Sequence, residues 1–301
     1  RQRQMCIRDR KIVLNEKRDY QMTWKIVTDS GCNLRCLESQ SKDLRFERVP
    51  LTLQIGSEIF RDDDGLDIDK MMTLMYQSSK AATSSCPSPD AFLQAYKGAD
   101  NVIAVTITGT LSGSHNSARL AKNDFLEEFP NANIHVIDSL SAGGEMDLIV
   151  LELERLINLG LSFEEVVAQI TAYQEKTRLI FVLAKVDNLV KNGRLNKLVG
   201  KVVGLLNIRM VGQASQEGTL ELLQKARGQK KAVSALVEEI QKAGYKGGKV
   251  YIAHAQNPKI CEQISEKIKT LYPDAVIQIG RTSGLCSFYA EDEGILMGYE
   301  I

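Results

Sequence analysis

The sequence has no net charge: 38 Lys and Arg balance 38 Asp and Glu over 301 residues. Without an excess of either sign it carries no field to steer nucleic acid or an anionic membrane surface. It also lacks any apolar run approaching the roughly 18 residues that a membrane-spanning helix requires. Its richest stretch, Leu148–Leu159, is interrupted by Glu152, Glu154 and Arg155. Histidine is scarce, at His115, His135 and His254, and the six cysteines include no CxxC pair. Cys32 and Cys36 have no third ligand near them in sequence, which argues against zinc and for reduced, intracellular thiols. No GxxxxGK[ST] occurs, and no GxGxxG follows the first strand, so phosphate-loop and dinucleotide readings fail on spacing. GxSxG is absent too. Gly109-Thr110-Leu111-Ser112-Gly113 has the wrong spacing, and no serine is placed to partner His254 as a base.

What remains is an ordinary globular composition, 44% hydrophobic and 25% charged, in a chain long enough for two cores. Residues 1–21 are charged and aperiodic, lack the apolar centre of a signal peptide, and contain MCIRDR, which resembles translated sequencing-adapter debris. They are expected to be a disordered extension or an assembly artefact, with the native start at Met22.

The chain is organised around Val102–Ala118. A buried-type strand, Val102–Thr106, runs into Thr108-Gly109-Thr110 and Ser112-Gly113-Ser114, and a helix is expected from about His115. In an open α/β sheet this is where a ligand sits, because unpaired first-turn amides favour an anion. Phosphate and carboxylate both meet that description, and so does a capped helix with solvated hydroxyls. Repetition favours a ligand: Lys25–Leu34 closes on Asp29-Ser30-Gly31, and Ile134–Gly144 is a third strand of the same type.

Elsewhere the pattern predicts strands at Trp24–Thr28 and Val49–Ile55 with a return after Gly56-Ser57, and at Ile134–Ile137. Helices are expected from Asn33, from an Asp67 cap through Met75, from a Ser88 cap with Pro89 in the first turn, and over Ala142–Asn158. Glu38–Arg48 reads as a loop, and Ser84 and Ser85 as a rigid loop before the Ser88 cap. The methionines Met71, Met72 and Met75 read as core filler or as an adaptable ligand wall. Gly160 is the expected boundary between domains at 22–160 and 161–301. Beyond it come helices at Phe163–Gln174, Leu195–Leu205, Ala232–Ala243 and Lys259–Lys269. Strands are expected there at Arg178–Leu183, Asn207–Gly212, Lys249–Ala253, Ala275–Ile279 and Ile295–Tyr299.

Several motifs taken together resemble the DegV family. They are IVTDSGCNL (26–34), SSCPSPDAF (84–92), ITGTLSGSHNSA (107–118), VIDSLSAGG (136–144), LVKNGRL (189–195), IAHAQN (252–257) and the GLCSFYAEDEGILMGYE tail. Each is weak alone, but they stand in the family's order across Met22–Ile301. The resemblance implies a Rossmann-like N-terminal α/β domain followed by a second mixed α/β domain. It implies a cytoplasmic, non-enzymatic protein that binds a long-chain fatty acid and presents its carboxylate to a separate fatty acid kinase, with no metal or cofactor. The alternatives are a carrier or enzyme for another anionic small molecule on the same scaffold, and a purely structural or regulatory protein.

Carried over by position, Ser84 stands where the family has the hydroxyl that bonds the carboxylate. Thr108 and Gly109 fall on the two serines of the family's ISSxLSG, so the second hydroxyl is missing. Asn192-Gly193-Arg194 matches a GGR turn. The family's late GTHTGPG falls on Gly280–Cys286, which has no histidine, and Arg281 or Thr282 is the expected substitute donor. The implied carboxylate ligands are therefore Ser84, Thr108 and Arg281. Asp29, Ser30, Ser85, Gly109, Ser112, Gly113, Arg194, His254 and Thr282 are expected neighbours.

Overall fold

The computed structural model describes residues 22–38, 42–80, 82–196 and 207–301. The N-terminal extension and most of the helix expected at Leu195–Leu205 lie outside the described residues. The first half runs β1 (Trp24–Asp29), β2 (Leu44–Val49), β3 (Thr52–Ile55), β4 (Glu58–Arg61), α1 (Ile68–Gln77), β5 (Ala82–Ser85), α2 (Pro89–Tyr96), β6 (Asn101–Thr106), α3 (Ser114–Glu128), β7 (Asn133–Asp138) and α4 (Gly144–Asn158). The second half runs α5 (Phe163–Gln174), β8 (Thr177–Leu183), α6 (Asp187–Lys191), β9 (Ile208–Ala214), β10 (Leu220–Arg227), α7 (Gln229–Lys242), β11 (Lys249–His254), α8 (Pro258–Leu271), β12 (Val276–Arg281), α9 (Gly284–Ala290) and β13 (Ile295–Glu300).

Among the described residues these strands form three sheets. A parallel sheet has the order β2-β1-β6-β7, a mixed sheet β10-β9-β8-β13-β11-β12, and a small antiparallel sheet β4-β3-β5. The fold class is mixed α/β, a Rossmann-like parallel sheet with a second mixed sheet beside it. β1 and β6 are buried along their whole length, which is why β6 reads as a continuous apolar run over Val102–Val105.

The caps are local and form where the sequence places them. Asp67 accepts from the Lys70 amide at the start of α1, and Ser88 accepts from the Ala91 amide ahead of Pro89 in α2. Ser162 and Glu165 form a reciprocal capping box at α5, an arrangement that contributes about 1 kcal/mol.

α4 joins the two large sheets. Twelve of its 15 residues are buried, because it has a sheet on each side. Met146, Ile149, Val150 and Leu153 pack with Ile26, Ile103 and Val105 of the parallel sheet, and Leu148 packs with Tyr251 and Ala253 of the mixed one. Gly144 lies directly on the backbone of Tyr251 and Gly298, so any Cβ there would strike main chain. That contact seats the start of α4 directly on the mixed sheet.

The structure differs from the sequence expectations at several elements. Leu44–Arg48, expected as loop, forms with Val49 the edge strand β2. Exposed Arg45 and Glu47 alternate there with buried Leu44 and half-buried Phe46, as one-sided burial demands. No helix forms from Asn33, whose amide and side chain are both held by Asp147 at 2.7 Å. Pro50 separates β2 from β3, so Val49–Ile55 is not one strand. Ser84 and Ser85 lie on β5, where Thr52 and Leu53 of β3 pair with them. β10 and α9 had no counterpart in the expectations. Met71, Met72 and Met75 are core, packed with Leu285 and Phe288 of α9. The small sheet of the first half thus buries itself against a helix of the second.

Candidate functional site

In the parallel sheet the strand order reverses at β1 and β6, the position where open α/β sheets leave a crevice. Here the protein fills that crevice itself. Asp29, at the end of β1 and fully buried, accepts from the Gly31 amide (2.9 Å), the Ile107 amide (3.0 Å) and Ser114 Oγ (2.5 Å). Burial pushes its carboxyl from 3.8 up to about 6, outweighing the three donors that oppose the shift. At the end of β7, Asp138 accepts from the Gly109 amide at 3.1 Å. The Ile107 and Gly109 amides of the loop after β6 and the Ser114 hydroxyl are thus engaged by two carboxylates from neighbouring strand ends. Ser30 is likewise structural: its hydroxyl accepts from the Leu51 amide, and its carbonyl accepts from Ser283.

The open space lies beside that network, between the loop after β6 and the mixed sheet. It is a cavity of about 300 Å³. Its walls are mostly apolar, with Leu140, Leu179, Phe181, Leu183, Leu220 and Leu296 prominent. Ser84, Ser85, Cys86, Ser112, Arg194 and Tyr289 also line it. Several of these are in mutual contact. Ser84 Oγ and Tyr289 Oη are 2.7 Å apart, and the Arg194 guanidinium lies 5.9 Å from the Tyr289 ring centroid. Ser85 and Cys86 are exposed, so this polar group adjoins the surface. A larger cleft of about 780 Å³ on the other side of Leu140 is lined by Asp138, Glu145, Glu175, Glu217 and Glu221 among others. Its charged walls offer no seat for an apolar chain.

Thr108 also lines the cavity, but its proton is committed. Thr108 Oγ1 donates to the Gly218 carbonyl at 3.0 Å, and Thr110 Oγ1 donates to the Glu217 carbonyl at 2.6 Å. The tip of the β9–β10 hairpin is thereby tied across the loop after β6. Gly218 has φ +76°, and a Cβ there would overlap Thr108 Oγ1, so the tie requires glycine at that position.

Of the residues expected at the site, the structure places Ser84, Ser85, Thr108, Ser112, Gly113 and Arg194 on the cavity wall. It does not bring Asp29, Ser30, Gly109, His254, Arg281 or Thr282 there. Arg281 ends edge strand β12 with its side chain 57% exposed and is paired with Asp69 at 3.0 Å. It points outward, away from Ser84. Thr282 is buried and bonds Ser287 Oγ at 2.7 Å. His254 Nδ1 accepts from the Asn257 amide, and burial, with Arg281 beside it, lowers the ring's pKa. The hydroxyl missing at Gly109 has a steric counterpart, since a Cβ there would approach Asp138 Oδ2 to 2.8 Å. Tyr289, Ser141 and the Gly218 tip went unread in the sequence. Ser141 and Tyr289 stand inside motifs quoted above without being expected at the site, and Gly218 stands in none; tertiary packing brings all three to the wall.

Five of the seven motifs contribute residues to one apolar cavity with hydroxyls on its wall, while those at 26–34 and 252–257 do not. A family model described as DegV matches residues 23–297. The chain belongs to the DegV family. A DegV domain-containing protein of Streptococcus pyogenes serotype M3 is 88% identical over 280 residues, 93% of this chain and 100% of that one. Among solved structures, the Streptococcus pneumoniae Fatty Acid Kinase (Fak) B3 protein loaded with linoleic acid is 64% identical. Its TM-score is 0.92, with 93% of this chain and 100% of that chain covered. A DegV family protein from Eubacterium eligens loaded with heptadecanoic acid is 38% identical at a TM-score of 0.88, covering 92% and 99%. Among the described residues no helix is long and apolar enough to cross a membrane, and no cluster of three or more His, Cys, Asp or Glu is set to hold a metal ion.

Proposed function

We propose that this DegV protein is a cytoplasmic, non-catalytic carrier that binds a long-chain fatty acid in the cavity and presents its carboxylate to a kinase partner. The observation that carries this reading is the cavity itself: about 300 Å³, apolar for most of its wall, with hydroxyls and a guanidinium among the lining groups beside exposed Ser85 and Cys86. An acyl chain suits the Leu and Phe walls, where each buried methylene contributes about 0.8 kcal/mol. The carboxylate needs donors, and Ser84 supplies one. Thr108 is assigned to positioning, because its proton is held by the Gly218 carbonyl. The likeness to a Fatty Acid Kinase B3 protein and to a second fatty acid-loaded relative supports both the ligand class and the kinase partner.

Native mass spectrometry of the protein purified from a lipid-containing host tests the reading, with an acyl ligand of fatty acid mass expected to remain bound. A ligand-free protein that also takes up neither palmitate nor oleate would sink it.

A further inference from the structure

Arg281 and Thr282 are engaged elsewhere, which leaves open what shares the carboxylate with Ser84. Tyr289 is a group the sequence did not suggest. Its Oη lies 2.7 Å from Ser84 Oγ across 205 positions of chain, and both residues line the cavity. Each hydroxyl carries one proton, and their mutual bond uses one of the two. The pair therefore keeps a proton for an incoming acceptor, and a carboxylate, which only accepts, can take both by replacing the mutual bond.

The ring is held in place from several sides. It is a half-buried side chain on α9, and Phe288 meets it edge-on with centroids 4.8 Å apart. α9 is itself anchored by Asp62, which accepts from the Gly284 amide at 2.8 Å and the Leu285 amide at 2.7 Å, and by the Ser283 cap. Arg194 lies over the ring face and adds positive charge at the same place. A tyrosine has two side-chain torsions, so little conformational freedom is lost when it bonds a ligand.

We infer that Tyr289 is a second head-group donor and that, with Ser84, it selects ligands ending in a free carboxylate. This deepens the carrier reading and rests on it.

Dissociation constants for oleate and methyl oleate are measured by displacement of a fluorescent fatty acid from wild type, Tyr289→Phe, Ser84→Ala and the double variant. Spectra of bound oleate carrying 13C at the carboxyl accompany them. Tyr289→Phe keeps the ring on Phe288 and under Arg194, so the fold is retained. Loss of one hydrogen bond to a charged group should weaken oleate by roughly 10- to 150-fold, leave methyl oleate close to wild type, and move the carboxyl 13C resonance. The double variant should show coupling, departing from the product of the single losses. Wild-type oleate affinity with an unmoved resonance in Tyr289→Phe overturns the assignment, and so does an equal loss for acid and ester, which marks a residue that only shapes the wall. A wild-type protein that takes up neither ligand overturns the carrier reading and this inference together.

Discussion

At the scale of single residues, two hydroxyls and one carboxyl carry distinguishable roles. Ser84→Ala removes a donor to the carboxylate and should weaken a fatty acid by about 1.5–3 kcal/mol while sparing its methyl ester. Thr108→Val is expected to behave differently. It breaks the bond to the Gly218 carbonyl and costs about 1–3 kcal/mol of hairpin docking, so acid and ester should lose affinity by the same factor. Paired titrations with the two ligands separate these outcomes; a selective loss of acid in Thr108→Val would return that residue to the head group. Asp29 offers a pH test. Its folded pKa is raised from 3.8 to about 6 by burial, so between those values the native state binds more protons than the unfolded chain. Its contribution to stability therefore increases as pH falls from about 6 toward 4, and above pH 6 it is a constant penalty. The slope of urea unfolding midpoints against pH over that window should differ between wild type and Asp29→Asn, with wild type gaining on the variant as pH falls. An unchanged slope would show that Asp29 does not titrate there.

At the scale of elements, the sequence was most legible where the signal is local. The Asp67 and Ser88 caps form as expected, because a cap is a bond between residues three apart. Continuous apolar strands such as β6 were equally plain. The misreadings share a different cause. ATSS in β5 has no alternation of its own and reads as loop, and its pairing with β3 decides its conformation. In β2 charge outweighs Leu44 and Phe46, so its composition reads as loop. The hairpin tip illustrates how an element can matter without a motif. Gly218→Ala places a Cβ against Thr108 at a left-handed φ of +76°, which should cost about 1–2 kcal/mol. A fall of a few degrees in Tm is expected, with oleate and methyl oleate weakened alike. A variant as stable and as tight as wild type would show that the tip is not held there.

At the scale of the whole molecule, α4 packs against both large sheets, and the small sheet of the first half rests on α9 of the second. The cavity wall is accordingly built from both halves of the chain, which suits a carrier that encloses a tail and exposes a head. Such a carrier is expected to show no ATP turnover by itself. Phosphate release from the pure protein, with and without oleate, is expected to stay at background. Sustained turnover that disappears in Ser84→Ala would place the kinase chemistry in this chain. The sequence by itself determined the mixed α/β class, most helices, the Asp67 and Ser88 caps and the DegV membership, since each depends on neighbouring residues or on motifs kept in order. Only the tertiary structure decided which donors remain for a ligand. It set Asp29 and Asp138 on the loop after β6, turned Arg281 outward to Asp69, tied Thr108 to the hairpin and brought Tyr289 to Ser84. A hydroxyl's chemistry is written in its residue type, but its partner is chosen by the packing of segments far apart in the chain.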